Sequence, residues 1–157
     1  MKPKLKFTSQ IVFVLILTLT GCDLYNTKAT KEEDKAAKNF QADYDKSVIY
    51  VYRSSSPVAI IQAFRIYLDG KALVNCTDGT FIRLVTDPGI HEIGVGNVSN
   101  NSLLESVKVV ATKGNIYCTE LTIGANAASG IPKLKVVDLP TAKEDIKKCT
   151  LLKLELK

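Results

Sequence analysis

Turn-forming dipeptides recur so closely along most of this chain that only short extended segments fit between them. Asp69-Gly70, Asp78-Gly79, Asp87-Pro88-Gly89 and Lys113-Gly114-Asn115 each end a run rich in β-branched and aromatic residues. Each has a stereochemical reason to turn: proline presets φ, glycine accepts positive φ, and aspartate bonds its own backbone. The runs between them are strands. Ser47 to Arg53 (SVIYVYR) is the first, broken by Ser54-Ser55-Ser56 and Pro57. Phe64, Ile66 and Leu68 alternate with Arg65 and Tyr67, the period of a half-buried strand. Further strands are expected over 72–76, 80–86, 91–95, 104–111, 116–123 and 133–139, with a polar loop over 97–102 and a small-residue loop over 124–132.

Past residue 139 the pattern changes. Thr141 and Glu144 have capping-box spacing and predict a short helix to about Cys149. Residues 151–156 alternate apolar and charged side chains, suiting a further edge strand. The sum is an all-β chain, an antiparallel sandwich (or barrel) of about seven short strands with a short C-terminal helix. It has no internal repeat.

The N-terminal segment is of another kind. Lys2, Lys4 and Lys6 precede ten apolar residues, 11–20 (IVFVLILTLT). Ten is half of what a bilayer core requires and fits the apolar region of a cleaved signal peptide. The segment ends Leu19-Thr20-Gly21-Cys22, which resembles the bacterial lipobox. The resemblance implies cleavage between Gly21 and Cys22, a diacylglyceryl thioether on Cys22 and acylation (palmitate) of the new amine, giving more than one chain and stable anchoring. Asp23 resembles the inner-membrane retention signal of enteric bacteria and tilts the reading toward the inner membrane. The expected organisation is a signal peptide (1–21), the lipidated cysteine with a flexible tether (22–46), and the sandwich (47–157). The tether is polar and mixed in charge. A marginal helix is expected in it around 30–40, with Thr30 as cap and Glu33 three residues on.

The series Ile49-Tyr50-Val51-Tyr52-Arg53, Tyr67-Leu68-Asp69-Gly70-Lys71, Gly79-Thr80-Phe81 and Pro88-Gly89-Ile90-His91 is similar to a family of small bacterial lipoproteins of unknown function. It also looks like the PEGA surface domain. The likeness covers about residues 47–123 and implies a compact β-sandwich with no established catalytic residues.

Charge excludes one class of partner. The formal charge of +5 falls to +2 without Lys2, Lys4 and Lys6, and no basic stripe remains for nucleic acid. His91 is the only histidine, so any Ser-His-Asp or Cys-His chemistry must use it. No spacing joins it to Ser54, Ser55, Ser56 or Asp87, and a structural bond to a turn or partner strand is the simpler role. Asp69, Asp78 and Asp87 sit where aspartate forms turns. Tyr50 and Tyr52 share one side of a strand, suiting core packing, and Tyr67 is a third candidate for an aromatic face. Gly94 and Gly96 lie in a strand and open no helix, so they are no phosphate loop. With Cys22 lipidated, Cys76, Cys118 and Cys149 remain. In an oxidising envelope one disulfide among them is expected, with its pairing open. No paired CxxC spacing supports a metal, and no cofactor is implied.

The reading is therefore of a lipoprotein anchored in the cell envelope, facing the periplasm or exterior. It is a non-catalytic binding or scaffolding module for an envelope protein or cell-wall component. The alternatives are a binder of a small hydrophobic or lipid ligand, and a hydrolase using His91 or an Asp pair.

Overall fold

A computed structural model describes residues 27–57, 60–124 and 130–154. In chain order the elements are α1 (Lys31–Ala37), β1 (Ser47–Arg53), β2 (Phe64–Leu68), β3 (Lys71–Cys76), β4 (Thr80–Thr86), β5 (Gly89–Asn97), β6 (Leu103–Ala111), β7 (Ile116–Ile123), β8 (Pro132–Val137), α2 (Leu139–Ile146) and β9 (Thr150–Leu151). Two sheets form an all-β sandwich. One has five strands in the order β8-β7-β1-β4-β9, the other four in the order β3-β2-β5-β6.

Alternation along each strand fills the space between the sheets. Ile49, Val51, Ile82, Leu84 and Leu121 from the five-stranded sheet meet Phe64, Ile66, Val74, Ile93, Val95 and Val109 from the other. Full burial of each such aliphatic side chain stabilises by roughly 1.5–3 kcal/mol. At Asp69-Gly70 both residues have positive φ, 50° and 77°, the twist that lets a two-residue turn join β2 to β3.

Pairing is not antiparallel throughout, as the sequence suggested. β1 pairs with β7 in parallel, Val48 opposite Ile116 and Tyr52 opposite Glu120, and β9 runs parallel to β4. β1 is thus central, and all seven of its residues are buried. A strand covered on both faces reads as a continuous apolar run, as SVIYVYR does.

The second face of β1 is covered by the two helices. Val48, Tyr50, Tyr52, Phe81 and Cys118 pack against Ala37, Phe40, Ala142 and Ile146 in a second core. This corrects the expected tether: the helix within it is real and docked. Thr30 and Glu33 form the expected capping box, Glu33 N donating to Thr30 Oγ1 at 3.2 Å and Thr30 N to Glu33 Oε2 at 2.8 Å. Asp34 receives Leu151 N at 2.8 Å and Lys38 donates to the Cys149 carbonyl at 2.6 Å, tying α1 to the C-terminal segment. The second helix is capped differently from the Thr141–Glu144 expectation. Asp138 is the cap, accepting from Thr141 N at 3.0 Å, and Pro140 falls in the first turn, where its missing N–H costs nothing.

Candidate functional site

The sole histidine begins the chemistry. β5 carries His91 beside its opening turn, and the β2–β3 hairpin presents Asp69. Nδ1 of His91 lies 2.8 Å from Asp69 Oδ2, and Nε2 lies 2.7 Å from the Asp87 carbonyl. Asp69 Oδ1 also accepts from Glu92 N at 2.8 Å. Burial works against the imidazolium, but the Asp69 carboxylate and the Asp87 carbonyl outweigh it and raise the His91 pKa. Burial likewise raises Asp69, and the Glu92 amide with His91 overcomes it, so its pKa is lowered. Asp87 is lowered by its pair with Lys46. Both ring nitrogens are engaged, so this His has no free position for taking a proton from a nucleophile. The arrangement fastens two turns and the end of β5 together.

Ser55 and Ser56 lie with Asp78 instead. Ser55 Oγ donates to Asp78 Oδ2 at 2.6 Å and Ser56 N to Oδ1 at 3.0 Å. Arg53, 2% exposed, completes this cluster: Nη1 donates to the Gln62 carbonyl at 2.6 Å and Nη2 is 3.7 Å from Asp78. Burial lowers the Arg53 pKa. Sequence reasoning missed this group. Its signal was an arginine closing an otherwise uncharged β-strand, where only a fixed carboxylate or carbonyl can receive a guanidinium. The three turn aspartates are therefore not assembled into one site; Asp69 and Asp87 share His91, and Asp78 serves Arg53.

The tyrosines also separate. Tyr50 and Tyr52 share a face, as expected, and both are fully buried in the second core. Tyr50 donates to the Ala37 carbonyl at 2.6 Å, while Tyr52 Oη has no hydrogen-bond partner among the described residues. Burial raises both phenols, with Arg83 partly offsetting it at Tyr50. Tyr67 belongs to the other sheet. It lies across Gly94 and Gly96 and donates to the Asn101 carbonyl at 3.0 Å. The Gly-Val-Gly motif thus makes room for a ring.

Cys76, Cys118 and Cys149 are buried free thiols, differing from the expected disulfide. Strand parity explains part of this. Cys76 points between the sheets and Cys118 to the helix-covered face, so a sheet separates them. Cys149 shares the second core but directs its thiol to the Arg53 and Asp145 carbonyls. Burial pushes Cys76 up to about 11 and Cys118 and Cys149 to about 12, which makes all three poor nucleophiles.

A groove of ≈ 470 Å³ lies between α1 and residues 151–154. Ala36, Ala37, Leu151 and Leu152 line it with Glu33, Gln41, Arg83 and Lys153. Among the described residues no group of three or more His, Cys, Asp or Glu is placed to hold a metal, and no helix is long and apolar enough to cross a membrane. Leu19, Thr20, Gly21, Cys22 and Asp23 lie outside the described residues. No family model and no curated protein matches this chain.

Proposed function

We propose that this protein is a lipid-anchored lipoprotein of the bacterial cell envelope. Its sandwich acts by binding an envelope protein or cell-wall component, without catalysis. The observation that carries the reading is Leu19-Thr20-Gly21-Cys22, placed directly after ten apolar residues and a lysine-bearing start. The use of the polar groups that catalysis would need agrees with it: His91, Asp69 and Asp87 fasten turns, and Asp78 receives Arg53 and two serine groups. Asp23 favours the inner membrane within this reading.

Labelled palmitate supplied to expressing bacteria should enter the full-length protein and be absent from Cys22→Ser. An unlabelled native chain, or normal processing of that variant, overturns the anchor. Crosslinking in intact envelopes should then trap the chain with a partner. Monomer alone under several crosslinkers would count against the binding role, as would a hydrolytic activity that His91→Ala abolishes.

A further inference from the structure

Attachment at Cys22 sets a distance as well as an address. The described body begins at Thr27, whose carbonyl accepts from Lys153 N at 2.9 Å, and Lys28 bridges Leu152. Cys22 and Thr27 are five residues apart. Even a fully extended chain spans at most roughly 3.6 Å per residue, so the leash is no longer than about 18 Å. A free tether reaching residue 46 would allow several times that. The missing length is taken up by α1 and Phe40, which are folded onto the sheet.

The point of attachment is an edge. β9 is the last strand of the five-stranded sheet, and β8 is four strand spacings away at the other side. At about 4.8 Å per spacing that is roughly 19 Å. The sandwich therefore has one edge held within a leash length of the lipid and another displaced from it by a comparable distance.

The held edge carries cations around the groove. Exposed Lys153 and half-buried Arg83 line it, and Lys28 and Lys31 are exposed on either side of Ala29 and Thr30 in the segment that borders it. The carboxylates nearby are Glu32 and Glu33, the latter held by the Thr30 amide. Asp34 is turned into the fold on Lys38 and Leu151 N. Between the cations the groove offers apolar surface from Ala29, Ala36, Leu151 and Leu154, over the buried Ala37 and Leu152. Cations next to a shallow apolar floor suit the boundary between phosphates and acyl chains.

We propose that the β9 edge of the sandwich, with the first turn of α1 and the groove beside it, lies against anionic phospholipid headgroups of the membrane that holds the anchor. The proposal rests on the lipoprotein reading and adds the orientation of the body. The far edge, with β8 and β6, is then the side left open to other molecules.

The test uses the mature lipidated protein on vesicles of phosphatidylcholine with phosphatidylglycerol and a headgroup-attached quencher. A fluorophore is placed by Lys31→Cys at the near edge or by Lys133→Cys on β8, the native thiols being buried. Quenching at the near edge should exceed that at β8 by about threefold or more, and Lys28→Glu with Lys153→Glu should reduce the difference about twofold, since headgroup attraction decays within a Debye length. Equal quenching, or stronger quenching at β8, overturns the orientation. Vesicle flotation and intact mass separate this failure from the other. A chain that carries lipid and floats but quenches equally leaves the anchor standing, and a chain without lipid removes both.

Discussion

The two sheets solve the same problem in opposite ways on their outer faces. The five-stranded sheet hides its outer face under two helices, and the second core there is aromatic: Phe40 and Tyr50 lie 5.2 Å apart by ring centroid, and Tyr50 and Phe81 6.2 Å. Among the described residues no helix lies over the outer face of the four-stranded sheet. That sheet lays Tyr67 flat over two glycines and leaves Ile90 and Val110, which face each other across β5 and β6, 69% and 66% exposed. One face gains stability from added layers and the other from removing side chains. The lesson is that cover on a sheet need not come from a separate element; a single ring suffices where the neighbouring strand gives up its Cβ atoms.

The sharpest way to break this comparison is to truncate one large residue on each face. Phe81→Ala should lower unfolding free energy by about 3–5 kcal/mol in a denaturant titration. Val110→Ala should change it by no more than about 0.5 kcal/mol. Similar losses at both would mean that the four-stranded face is covered after all. Next in size is Gly96→Ala, expected to cost about 1–3 kcal/mol because the new Cβ would fall on the Ser102 carbonyl oxygen and the Tyr67 ring. Gly94→Ala should cost less, since its nearest obstacle, at 2.7 Å, is the movable Leu103 side chain.

A smaller pair tests the covered face from within. Tyr50→Phe removes a buried hydrogen bond to Ala37 and should cost about 1 kcal/mol, whereas Tyr52→Phe removes a buried hydroxyl with no partner among the described residues and should be neutral or stabilising. The least effect is expected at the end of the molecule. The folded pKa of His91 lies above its ordinary 6.5, so the stabilisation from its charged form is complete below that value and lost as pH rises through the folded pKa. Because Asp69 is half exposed, the loss should stay within about 1 kcal/mol, and Asp69→Asn should flatten this part of the stability–pH curve. Thiol reagents, finally, should leave Cys76, Cys118 and Cys149 untouched in the native protein and find all three after denaturation. A count below three would mean that a disulfide had formed.

How far the sequence could be read follows the same division. Turns carried by Asp-Gly and Pro-Gly chemistry, and the alternation of Phe64, Ile66 and Leu68, are local, and the turns stand where they imply; Asp69-Gly70 closes a hairpin, whereas Asp78-Gly79 and Asp87-Pro88-Gly89 carry the chain from one sheet to the other, which no local signal shows. The Thr30–Glu33 box is local too, and it forms. What was not legible depends on distant partners. The parallel pairing of β1 with β7 brings together segments far apart in sequence, and no residue in SVIYVYR encodes its neighbour. Docking of α1 rests on Ala37 and Phe40, too few apolar residues to show a period in a polar stretch. At α2 two capping signals overlapped, and Asp138 prevailed because Pro140 is best tolerated in a helix's first turn. In the candidate site, a structural role for His91 beside a turn was legible, though not Asp69 as its partner. Arg53 with Asp78 and Gln62 was not, since their meeting depends on where β1 ends relative to the β3–β4 turn.

Thr27 and Lys153 leave the body side by side, joined by a backbone hydrogen bond. A circular permutant closing that seam with a few glycines and opening new ends in the loop over 98–101 would keep every strand pairing. Conversely, a reporter fused after Leu154 would emerge beside Thr27, not from the opposite pole, and would crowd whatever lies there.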